Sequence, residues 1–217
     1  MKIIGLLTSL FLTFFSIGQK SYYFSDPLPS SEDKVTNVDS KYFGLYKSDE
    51  AARSYQISEE GIFIISTSIS SVSREMIRES STYRVHNNYI FGVVKDDSLP
   101  CVLEGERYYF GIQNKDVLVS TSSKSQLAKI SAGRYILNHA EDGLFTPSLL
   151  YFEGNKLILE EFNYDFETTV FDKIQNQKVT PSEHFDIVIL SPTKDEFNAL
   201  MGNSIFSESF TFKKKRK

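Results

Sequence analysis

Between residues 41 and 191 the chain alternates short apolar runs with polar clusters at a spacing that suits strands. Tyr, Phe, Ile and Val recur at alternate positions, and Asn, Asp, Gly and Ser gather between the runs. The pattern predicts strands over 41–47, 52–58, 61–69, 82–86, 89–95, 101–103, 107–112, 116–120, 133–138, 148–153, 156–163, 168–174 and 184–190. Glu59-Glu60-Gly61, Asn87-Asn88, Glu104-Gly105-Glu106 and Glu153-Gly154-Asn155 each lie between apolar runs. They supply residues that tolerate positive φ, as hairpin turns require.

One phrase recurs. Tyr42-Phe43-Gly44, Tyr89-Ile90-Phe91-Gly92 and Tyr108-Tyr109-Phe110-Gly111 each set a glycine after an aromatic residue. Glycine weakens a strand, so it marks a bulge, a bend or a close approach, and curled sheets use it to turn. The offset from Gly92 to Gly111 fits two strands and two turns. It predicts two glycines on strands running the same way, at the same height, forming a line along which the sheet folds.

A weaker similarity links the stretch from Gly44 to the stretch from Gly133. Both open Gly-x-Tyr, cross a polar segment, and reach a strand, an acidic-glycine turn and another strand. An ancestral duplication (41–119 and 133–212) and the ordinary grammar of hairpins both produce this. Residues 120–132 then form a polar connector or a short helix. In "SPTKDEFNALMG", Thr193 and Glu196 make a capping box, Gly202 ends the helix, and Phe197, Leu200 and Met201 form its buried stripe. Residues 71–81 suit a helix, with Val72 and Met76 on one face, or a strand. "SIFSESFTF" (204–212) reads as the final strand.

The expected fold is all-β and mainly antiparallel: a curled up-and-down sheet or barrel-like meander, with one short C-terminal helix before the last strand. In outline, a Gly-x-Tyr opening to a run of antiparallel strands resembles the lipocalins and wider calycin barrels. Lipocalins carry Gly-x-Trp there, and this chain has no tryptophan. No binding residue is carried over from that resemblance.

The ends change the picture. Lys2, the apolar stretch Ile3–Phe15 and Ser16-Ile17-Gly18 have the form of a cleaved export signal, leaving Gln19 as the new N-terminus. The apolar stretch falls short of the ~20 residues that span a bilayer, so no transmembrane segment is expected after cleavage. The chain then divides into a signal (1–18), a polar N-terminal segment (19–40), a β-rich domain (41–212) and a basic tail (213–217). From Gln19 to Phe212 there are 18 basic and 28 acidic residues, a net of −10, while Lys213–Lys217 carry +5. Such a body repels phosphate, so no nucleic-acid partner is expected. The tail reads as a solvated end that guards the last strand, against the alternative of a grip on an anionic surface.

Candidate chemistry is sparse. Cys101, the one cysteine, lies in the apolar run "PCVL" without a neighbouring histidine and reads as a small buried residue. His86, His139 and His184 lack metal-ligand spacing. His184 with Asp186, and Asn163 with Asp165 and Glu167, fall short of a zinc or calcium site, the latter for want of a turn glycine. Glu160 and Glu161 are adjacent and face opposite ways on a strand. No nucleophile elbow, phosphate loop or dinucleotide fingerprint occurs. No catalytic, cofactor-binding or metal-binding residue is therefore assigned. The expected function is an exported, non-enzymatic domain, periplasmic or secreted, holding a small or extended apolar ligand inside the curled sheet. The alternative is a surface-docking module of the cell envelope that binds a partner protein or an anionic surface.

Overall fold

The computed structural model describes residues 19–29, 33–48, 53–95, 97–163, 168–181, 185–203 and 205–215. Residues 1–18, expected to be an export signal, lie outside them, as do Asp165, Glu167, His184 and the last two residues. In chain order the strands open with β1 (Gln19–Phe24), β2 (Lys34–Val35), β3 (Gly44–Lys47), β4 (Arg53–Ser58) and β5 (Gly61–Ser73). Helix α1 (Arg74–Glu79) precedes β6 (Arg84–His86), β7 (Tyr89–Phe91), β8 (Ser98–Glu104) and β9 (Arg107–Val119). Then come β10 (Gln126–Ser131), β11 (Arg134–Glu141), β12 (Leu144–Glu153), β13 (Lys156–Phe162), β14 (Gln177–Thr180) and β15 (Phe185–Leu190). Helix α2 (Lys194–Gly202) and β16 (Phe206–Lys214) close the chain, as the capping box and the last alternating run predict.

Strands pair antiparallel to form one curled sheet, in the order β10-β11-β12-β13-β16-β3-β4-β5-β9. The parallel pair β1–β15 is the exception, six residues in register from Gln19↔Phe185 to Phe24↔Leu190. Inward side chains from both ends of the curl meet. Tyr46, Tyr55, Ile57, Ile62, Leu127, Tyr135, Leu150, Leu157 and Phe212 are buried in one cluster, with the Tyr55 ring edge-on to Phe212 at 4.8 Å. The space inside the curl is therefore filled with side chains.

β11 and β12 are buried on both faces. Tyr135 and Leu137 point into the curl, while Ile136 points outward into a second core with Phe24, Phe171, Val188, Leu190, Phe197 and Phe206. That outer layer consists of β1, β15, the 3-10 turn Thr168–Lys173 and α2. Two-sided burial explains the near-continuous apolar run "YIL". The fold also differs from four expectations. The polar N-terminal segment contains β1, whose Tyr22 and Phe24 are core residues. The connector 120–132 contains a strand, β10. Residues 168–173 form a 3-10 turn in place of a strand. The halves 41–119 and 133–212 differ in strand order, because β14 and β15 lie beyond β1.

An arm projects from the curl. β5 and β9 pair over twelve positions, from Ile62↔Val119 to Ser73↔Arg107, well past Ser66, the last β5 residue paired with β4. At its far end α1, β6, β7 and β8 enclose a small third core of Val72, Ile90, Cys101 and Phe110. Residues 74–79 are helical because Ser73 caps them, its Oγ accepting from Met76 N at 3.1 Å. The glycines of the repeated phrase form no line across the sheet. Phe91 pairs with Ser98 and Phe110 with Cys101, so the two phrases sit three residues apart along β8, about 10 Å. Gly92 serves a close approach instead: its φ is +85°, and a Cβ there would run into the Thr82 carbonyl.

Candidate functional site

A groove of about 500 Å³ lies between the β10–β11 hairpin and α2. Its floor is Ile130, Phe197 and Met201, and Pro29 and Asp33 form one wall. Lys129, Arg134 and Lys194 bring cationic groups to the rim. Lys129 is committed: its Nζ donates to Asp39 Oδ1 at 2.8 Å. That hydrogen bond holds the Asp39 carboxyl below its ordinary value and the Lys129 ammonium above it. The Arg134 guanidinium stacks at 5.3 Å from the Tyr151 ring. Among the described residues, neither Arg134 nor Lys194 has a carboxylate partner.

Three local features fix the groove. Thr193 and Glu196 cap α2 in both directions, and Glu196 Oε1 also accepts from Gln175 N at 2.9 Å, which ties the helix to the preceding turn. These backbone donors lower the Glu196 carboxyl below its usual range. Arg134 follows a tight hairpin at Gly133, whose φ is +72°. The wall at Pro29 is anchored through Leu28, whose backbone N–H and C=O both bond to the buried Asn138 side chain.

A second, smaller recess of about 270 Å³ is lined by His139, Glu141, Thr146, Ser148, Glu161 and Phe162. His139 Nε2 and Ser148 Oγ are 3.0 Å apart, a pair that no sequence motif announces. Burial pushes the imidazole below its usual value, with Glu161 opposing that shift and Arg53 adding to it. The pair does not amount to a nucleophilic site. Ser148 lies mid-strand with β11 on one side and β13 on the other, so the neighbouring backbone N–H groups belong to ladders and offer no oxyanion hole. Glu161 is ion-paired with Arg53 at 2.6 Å.

The other residues weighed from the sequence are dispersed. Cys101 is buried against Phe110, and burial pushes its thiol up, as a packing role implies. His86 sits on β6 of the arm, Asp186 on β15, and Asn163 follows β13, so nothing joins them into one site. Glu160 accepts from the Tyr151 hydroxyl at 2.8 Å while Glu161 holds Arg53, in keeping with opposite faces. Among the described residues, no group of three or more His, Cys, Asp or Glu is arranged to hold a metal ion. No helix among them is long and apolar enough to cross a membrane.

The groove residues carry no signal in the sequence, except that the α2 stripe flags Phe197 and Met201. Lys129 and Lys194 are 65 positions apart and line one groove only once α2 has packed on the outer core. Comparison with protein-family models, curated proteins and solved structures finds no match.

Proposed function

We propose that this chain is an exported, non-catalytic binding domain whose ligand is a singly charged anionic amphiphile, held in the groove beside α2. The reading rests on one observation: two cationic side chains without carboxylate partners, Arg134 and Lys194, stand over an apolar floor on a body of net charge −10. The acidic head would meet the two cations, and the apolar body would lie on Ile130, Phe197 and Met201. The groove's volume falls within the roughly 300–1,000 Å³ usual for small-molecule sites. Placement outside the curl is favoured because its interior is occupied by Tyr46, Tyr55, Leu150 and Phe212. Export is supported by Lys2, the apolar stretch Ile3–Phe15 and the small residues before Gln19.

Calorimetric titration of the chain from Gln19 to Lys217 with dodecanoate, below its micellar concentration, tests the reading. Dodecanol provides the uncharged comparison. Binding of the acid, weak binding of the alcohol, and a loss of about tenfold or more in the Arg134→Glu, Lys194→Glu double variant are expected. Equal affinity for both probes, or an unaffected double variant, would remove the groove from consideration.

A further inference from the structure

We propose that the outer edge of β5, from Thr67 to Ser73, pairs antiparallel with the same edge of a second copy, with Ser70 on the two-fold axis. The inference is independent of the groove.

Three observations lead to it. First, β4 begins at Arg53, opposite Ser66, so among the described residues no strand pairs with β5 beyond that point on its β4 side. From Thr67 to Ile69 the arm is a two-stranded ribbon with β9, and Thr67, Ser68, Ile69, Gln113 and Asn114 are exposed. Two strands alone are marginal in water, and an added strand relieves this. Second, β5 runs thirteen residues, "GIFIISTSISSVS", without a charge or a proline. Soluble proteins protect open edges with such residues. Here β6 carries Arg84, β14 carries Lys178, and the open side of β9 carries Lys115 and Asp116. The β5 edge carries no guard.

Third, the segment is complementary to itself. A two-fold axis at Ser70 sets Ile69 opposite Ser71 of the second copy, Val72 opposite Ser68, and Thr67 opposite Ser73. Each bulky side chain meets a small hydroxyl, and no charges meet. The same register brings the two Ile69 side chains into diagonal contact across the axis on one face. Ile69 is 80% exposed in the single chain, and that face continues through Tyr109 to Val102, which is 70% exposed. The result would be a four-stranded sheet, β9-β5-β5-β9, joining two arms.

Sedimentation velocity across a range of concentrations, on the chain from Gln19 to Lys217, tests the association. A Ser70→Cys variant tests the register. Directly opposed residues of an antiparallel pair lie about 4.5–5.5 Å apart at Cα, within reach of a disulfide, so mild oxidation should link two chains. Ser68→Cys, opposed to Val72, should not link. Ile69→Lys places two like charges beside the axis and should weaken association about tenfold or more, while its thermal unfolding as a monomer stays unchanged because the side chain is exposed. A chain that stays monomeric with Ser70→Cys unlinked would overturn the proposal and leave the edge to another protein's strand. An association that survives Ile69→Lys, with Ser70→Cys unlinked, would overturn it by placing the contact elsewhere.

Discussion

Asn138 holds the backbone of Leu28 at two points. Its Oδ1 accepts from Leu28 N at 2.8 Å, and its Nδ2 donates to Leu28 O at 2.9 Å, with Asn138 fully buried on β11. The amide thus behaves like a further strand residue, completing the hydrogen bonds of a segment that has no ladder partner there among the described residues. It binds the N-terminal segment to the sheet and sets the Pro29 wall of the groove.

Replacing Asn138 with leucine keeps the volume and deletes both bonds, leaving a buried N–H and C=O unpaired. The expected cost is about 2–6 kcal/mol, since each of the two orphaned groups loses roughly 1–3 kcal/mol. Urea unfolding measures it. An amphiphile titration on the same variant should weaken as well, because the wall loses its anchor. A variant as stable as the parent would mean that water replaces the amide at no cost.

His139 makes stability depend on pH. Burial holds its folded-state value below that of an exposed imidazole, so the folded protein keeps it neutral where the unfolded chain takes up a proton. This contribution is fully present above the ordinary imidazole value near 6.5 and is lost as pH falls through the window beneath it. The melting temperature should therefore fall between pH 7.5 and 5.5. His139→Gln, which can still bond to Ser148, should flatten that fall. Parallel curves for the two proteins would assign the acid sensitivity to other groups.

Gly92 and Gly111 look alike in sequence and differ in the fold. A side chain at Gly92 meets the Thr82 backbone at a φ of +85°, and nothing there can rotate away. Gly92→Val should cost about 2–4 kcal/mol by combining overpacking with a disfavoured φ. At Gly111 a Cβ would meet only the Thr67 methyl at 2.9 Å, a side chain free to turn. Valine also suits a strand, so Gly111→Val should stay within about 1 kcal/mol of the parent. Equal losses in thermal unfolding would contradict this reading of the two sites.

What is legible in the sequence follows the range over which each feature is encoded. The β4–β5 and β12–β13 hairpins and the capped helix α2 are specified by residues within a few positions, such as Glu59-Glu60-Gly61 and Thr193 with Glu196, and all appear as expected. β1 escapes the pattern because its partner β15 is more than 160 positions away, and "SYYF" beside a polar stretch carries no local sign of it. β14 escapes it because it is exposed along its whole length and has no apolar face to alternate. Alternation reports one buried face, whereas β11 and β12 have two. That second burial creates the outer layer, and with it the groove of Lys129, Arg134 and Lys194.

The basic tail offers the sharpest reversal. Read from the sequence, Lys213–Lys217 form a solvated end that guards the last strand. In the fold, β16 pairs with β3 through Lys213↔Lys47 and Lys214↔Tyr46, and among the described residues those pairs are the whole ladder between the strands. Lys214 N also donates to Asn155 O at 2.8 Å and Lys215 N to Leu45 O at 2.7 Å. The long stem of Lys214 crosses Gly44, with its ammonium 5.8 Å from the Tyr46 ring. These lysines therefore join the β10–β13 half of the curl to the β3–β5 half. Deleting Lys213–Lys217 removes that ladder and uncovers buried Tyr46, and should cost about 1–4 kcal/mol at roughly 0.5–1.5 kcal/mol for each lost hydrogen bond. Amide exchange should quicken first at Leu45 and Tyr46, where the seam opens, before the β12–β13 ladder responds. Changing the same five residues to glutamine separates charge from backbone: the strand remains, so most of the stability should remain with it. A deletion that leaves both unfolding and exchange unchanged would show that the seam is held by the Tyr55–Phe212 packing alone.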